Sequence, residues 1–85
     1  VAIDMLYFAW VREAIGSGHE RIEPPAETVT VADLIGWLAG RSEGHARAFA
    51  DRSKLRAAID QRFVPFDTAI AGAREVAIFP PVTGG

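Results

Sequence analysis

Apolar and polar residues alternate over residues 1–8, with Ile3, Met5 and Tyr7 on one face and Asp4 marking the opposite face as the wetter one. A strand is predicted there. Leu6 and Phe8 share the wetter face, so part of it is expected to be covered by something else. Ala9–Ile15 predicts a short helical turn with Gly16-Ser17-Gly18 as its stop, and residues 19–23 alternate as a second strand that Pro24-Pro25 ends. The period then changes. Val31, Leu34, Ile35 and Leu38 stand at i, i+3, i+4 and i+7, the stripe of a helix lying across a sheet. Thr30 is its expected N-cap, with Asp33 favouring the positive helix start, and Gly40 its terminator. Gly36 weakens this helix by about 1 kcal/mol relative to alanine, and Trp37 lies off the stripe as a flank of the core.

Residues 42–54 are polar and small, with Ala46, Ala48, Phe49 and Ala50 suggesting a second, weaker helix. Leu55, Ala57 and Ile59 alternate as a third strand, Asp60-Gln61 is a tight-turn candidate, and Pro65 demotes the strand over residues 62–66 to an edge. Turns around Gly72 lead into the last strand, Glu75–Phe79, in which Val76 and Ile78 face one way and Ala77 and Phe79 the other. This order of elements predicts an α+β class with a β-grasp roll: a mixed sheet of about five strands and one main helix covering one face. The first and last strands are then parallel neighbours in the middle. Phe8, Phe63 and Phe79 fall on the uncovered face, where a contiguous apolar cluster marks a partner interface.

Beyond Phe79 the chain changes character. Pro80 and Pro81 cannot donate backbone hydrogen bonds and hold the chain extended, while Gly84 and Gly85 carry no side chains. Residues 1–79 are therefore expected to form the domain, and residues 80–85 a projecting, flexible tail. Its reach, fully extended, is roughly 20 Å, enough for Pro80, Pro81, Val82, Thr83 and Gly84 to thread into a deep site on another protein. The chemical group carried there is the terminal carboxylate of Gly85. A carboxylate is a poor electrophile, so it must be activated, most simply by adenylation with ATP in a partner enzyme.

Composition narrows the alternatives. No stretch approaches the ~20 apolar residues of a membrane span, and no basic leader precedes a long apolar run, so a cytoplasmic domain without membrane contact is expected. The net charge of −2 argues against nucleic acid. Arg41, Arg47, Arg52, Lys54, Arg56 and Arg62 read as a solvated surface. The absence of cysteine excludes a disulfide, a thiolate metal site or a persulfide on this chain. His19 and His45 have no metal-site spacing and are expected at the surface; no metal site is expected. Gly16-Ser17-Gly18 ends a helical turn rather than opening one, which discounts a phosphate loop.

Residues 79–85, Phe-Pro-Pro-Val-Thr-Gly-Gly, preceded by Glu75-Val76-Ala77, resemble the C-terminal motif of the small subunits of molybdopterin synthase. Leu6-Tyr7-Phe8-Ala9, Val11-Arg12-Glu13 and Gly16 are similar to that family's first strand and turn, and Ala57-Ala58-Ile59-Asp60-Gln61 to its central hairpin. The resemblance implies a ubiquitin-like fold and a sulfur carrier within a heterotetrameric synthase. It implies that an E1-like activating enzyme adenylates Gly85 and that a sulfur donor replaces the adenylate to give a thiocarboxylate. The tail then enters the large subunit and donates sulfur to cyclic pyranopterin monophosphate. The carrier would be the sulfur-donating subunit of a sulfurtransferase whose active site lies on the large subunit. No cofactor is expected on this chain itself. Where the family often has Asn before Gln, this chain has Asp60; where it often has Asp-Gly-Asp, this chain has Gly72-Ala73-Arg74, turning a local acidic patch basic. The alternatives are a sulfur carrier for thiamine or another pathway, a ubiquitin-like protein modifier, and a proline-rich ligand of a binding module.

Overall fold

The computed structural model describes residues 2–81. Strands β1 (Ile3–Tyr7), β2 (His19–Ile22), β3 (Arg56–Ile59), β4 (Arg62–Val64) and β5 (Glu75–Phe79) form one mixed sheet in the order β2-β1-β5-β3-β4. β1 and β5 run parallel, with Asp4 opposite Glu75 and Tyr7 opposite Ile78; the other pairings are antiparallel. This is the β-grasp arrangement expected from the element order, with β5 at the centre and the Pro65-limited β4 at an edge. Among the described residues, no helix is long and apolar enough to cross a membrane.

Alternation decides which sheet face is dry. Ile3, Met5, Tyr7, Ala57, Val76 and Ile78 all point to the same side, where Val31, Leu34, Ile35 and Leu38 of helix α2 (Val31–Ala39) close over them. Several of these side chains are fully buried, each worth roughly 1.5–3 kcal/mol on removal from water. Thr30 caps α2 as expected: its hydroxyl accepts from the Asp33 N–H at 3.1 Å, and the Asp33 carboxylate accepts from the Thr30 N–H at 3.1 Å. Backbone hydrogen bonds from Thr30 and Val29 hold the Asp33 carboxyl below its ordinary value.

The cover is broader than one main helix. Helix α1 (Ala9–Ile15) buries Val11, and a third helix, α3 (Glu43–Ala48), packs on α1 and brings Ala48 and Phe49 into the core. The expected weak helix is real but starts earlier, because Ser42 caps it by accepting from the His45 N–H. Contact between α1 and α3 depends on Gly44, where a Cβ would collide with the carbonyl oxygen of Ala14. Gly44→Ala is therefore expected to force the helices apart and cost about 2 kcal/mol. Thermal unfolding followed by circular dichroism should show the midpoint lowered by roughly 10 °C; an unchanged midpoint would mean that the pair separates without loss.

The connection into β5 is also locked. Gly72 takes a left-handed conformation at φ 80°, and the Asp60 carboxylate accepts from the N–H groups of Arg74 and Glu75 at 3.1 and 3.0 Å. Asp60 thus ties the β3–β4 turn to the start of the strand that leads to the tail.

Candidate functional site: an uncovered sheet face beside the tail

The parity that buries Val76 and Ile78 sends Ala77 and Phe79 to the opposite side of β5. Leu6 follows from β1, Phe8 from the cap of α1 just after it, Ala58 from β3 and Phe63 from β4, all on the face that no helix covers. Together they line an open hollow of about 730 Å³, room for a cluster of partner side chains rather than one. Its floor is the directly paired Ala58 and Ala77, both buried although neither belongs to the helix-covered core. Phe63 and Phe79 form one wall, with ring centroids 5.3 Å apart, while Leu6 and Phe8 contribute to the opposite side. Ala9, Gln61 and Glu75 stand at the margin.

Phe8 and Phe63 are 50% and 76% exposed, a poor arrangement in water unless another surface meets them. All three phenylalanines expected at a partner interface are thus brought together. Leu6 and Ala77, which strand parity places with Phe8 and Phe79, complete the hollow together with Ala58. Pro80 and Pro81 also line it, directly after Phe79. Val82, Thr83, Gly84 and Gly85 lie outside the described residues.

A second constellation sits on the helix-covered side. His19 is exposed as expected, but His45 is buried at 7% exposure, contrary to the surface position expected for it. Its ring lies against Phe49, one helical turn further along, and against Tyr7 and Glu20, which are remote in sequence and which β1 and β2 bring to it. His45 Nε2–H donates to Glu20 Oε2 at 2.6 Å and the Tyr7 hydroxyl donates to the same oxygen at 2.7 Å. Because the carboxylate only accepts, Nε2 carries a proton, and Nδ1 and the Ser42 hydroxyl are in hydrogen-bond contact at 2.7 Å. Burial alone would raise the Glu20 carboxyl, but the hydrogen bonds from His45 and Tyr7, with the charges of His45 and Arg41, hold it below its ordinary value. The Tyr7 phenol is pushed well above its ordinary range, by burial first and then by Glu20. The network joins β1, β2 and α3; the Ser42 hydroxyl is already occupied as the α3 cap. Among the described residues, no group of three or more His, Cys, Asp or Glu side chains converges as a metal site would require.

Known proteins share both the sequence and this architecture. The "molybdopterin synthase sulfur carrier subunit" of Escherichia coli (strain K12) is 43% identical over 83 residues, covering 98% of this chain and 99% of the relative. A protein of the same name from Haemophilus influenzae is 35% identical over 83 residues, again covering 98% and 99%. The crystal structure of SAMP1 from Haloferax volcanii superposes with a TM-score of 0.73 at 26% identity, covering 100% of both chains. The ThiS family model matches residues 5–85, and the chain belongs to the ThiS family.

Proposed function

We propose that this chain is a sulfur carrier and the small subunit of molybdopterin synthase, acting in the cytoplasm. The observation that carries this reading is the continuity of hollow and stem: Pro80 and Pro81 line the apolar hollow and lead straight into Val82-Thr83-Gly84-Gly85. A partner seated on Phe8, Phe63 and Phe79 therefore lies beside Pro80 and Pro81, the stem from which the tail continues. The names of the relatives support the large synthase subunit as that partner.

The chemistry follows from what Gly85 offers. Its carboxylate attacks the α-phosphate of ATP in an E1-like activating enzyme, releasing pyrophosphate. A sulfur donor then displaces AMP and leaves a thiocarboxylate. Within the large subunit, sulfur passes from Gly85 to cyclic pyranopterin monophosphate, and water restores the carboxylate. The chain has no cysteine to carry the sulfur, and ATP is used by the activating enzyme. The backbone of Gly84 and Gly85 lets the tail pass a narrow channel and leaves the reacting carbonyl open to attack.

Incubation with the activating enzyme, ATP and a sulfur donor is expected to give an intact mass shifted by one oxygen-to-sulfur exchange, localised to Gly85 by fragmentation. A persistently unchanged mass would sink the carrier reading. Co-purification with a large synthase subunit, rather than with a thiazole synthase or as lysine-linked conjugates, separates this role from the thiamine and modifier readings.

A further inference from the structure

Among the described residues, the non-glycine residues with positive φ are Ala9 at 53°, Asp60 at 47° and Gln61 at 72°. Ala9 and Gln61 both line the apolar hollow, so left-handed backbone that side chains disfavour is concentrated at its margin. Ala9 turns the chain from β1 into α1 and carries the smallest side chain that is not glycine's. Asp60 and Gln61 form the two-residue turn between β3 and β4, whose left-handed positions glycine and asparagine fill most easily. Asp60 has a reason to be there, since its carboxylate locks Arg74 and Glu75. Gln61 has none within the fold: its side chain is exposed and takes no part in the hydrogen bonds that hold the turn among the described residues. A long side chain kept where glycine would sit without strain points to a use outside the chain.

We infer that Gln61 is a specificity residue whose carboxamide hydrogen-bonds a backbone peptide group of the large synthase subunit at the margin of the hollow. The carboxamide carries a donor and an acceptor in one plane, matching the carbonyl and N–H of a peptide group. Phe63 and Ala58 beside it exclude water once the partner is seated, so the amide supplies polar complementarity on an otherwise apolar wall. This inference rests on the function proposed above.

The test is calorimetric titration of the large subunit with wild type, Gln61→Gly and Gln61→Met, with melting curves of each carrier. Gln61→Gly removes both strain and amide: it is expected to melt about 4 °C higher and to bind roughly fivefold more weakly. Gln61→Met keeps the length and strain without the amide, and is expected to melt like wild type and also to bind roughly fivefold more weakly. In turnover assays both variants should raise the carrier KM while leaving single-turnover sulfur transfer in the saturated complex unchanged. A merely structural residue would not couple higher stability to weaker binding. Wild-type affinity in either variant overturns the assignment. A wild-type chain that does not bind the large subunit refutes the function proposed above and this assignment with it, a result distinct from a loss confined to the variants.

Discussion

Phe79→Asp is expected to raise the dissociation constant for the large synthase subunit by about 100-fold, close to 2.7 kcal/mol, while the isolated domain stays folded. Phe79 ends β5 on the uncovered face, half-buried against Phe63 and next to Pro80. An aspartate there places a charge in the middle of a surface that must be dehydrated when the partner docks. In the free domain the same carboxylate can turn to water, so the melting midpoint should fall by no more than about 5 °C. Titration with the large subunit and a melting curve on the same preparation separate the two effects. A variant that unfolds while the rest of the face proves dispensable would return Phe79 to the core. The substitution also removes the wall at the start of the stem, so a charged tail on this variant should deliver sulfur poorly even at concentrations that force binding.

The uncovered face was open to sequence reasoning because strand parity is strict: once Val76 and Ile78 are assigned to the core, Ala77 and Phe79 must face away. The paired Ala58 and Ala77 show how small residues can be buried without joining the helix-covered core, covered instead by neighbours on their own face. The capped stripe of α2 was equally legible, since Thr30 and Asp33 announce its start and four apolar residues its inner face. Helix α3 was harder to place. At six residues it is too short to display a full amphipathic period, and its packing turns on Gly44, a residue that propensity marks as a helix breaker. The position of His45 was not legible at all. Glu20 lies 25 residues away, and nothing local shows that the two meet. The left-handed backbone of Gln61 follows from the two-residue turn expected at Asp60-Gln61, although glutamine's own preference does not announce it.

His45→Ala is expected to be the most destabilising substitution among the polar residues, costing about 3 kcal/mol at neutral pH. The ring packs at 6.2 Å centroid distance against both Tyr7 and Phe49, and its loss leaves a void and removes a donor from Glu20. The melting midpoint should fall by roughly 15 °C. The cavity part of this cost is independent of pH, whereas the Glu20 part is not. In the folded protein the Glu20 carboxyl is held below its ordinary value of 4.5, so its contribution is fully present above that pH and is lost as pH falls through the lowered folded value. Without His45 one of the groups holding Glu20 down is missing, and Tyr7 remains. Stability measured by denaturant unfolding below about pH 5, where an unfolded-chain histidine is already protonated, should therefore show the gap between wild type and His45→Ala narrowing as Glu20 becomes protonated, with Glu20→Gln converging on wild type over the same range. A gap of constant size across that range would assign the whole loss to packing around the ring, and the β1–β2–α3 network would then be a consequence of the fold rather than a contributor to its stability.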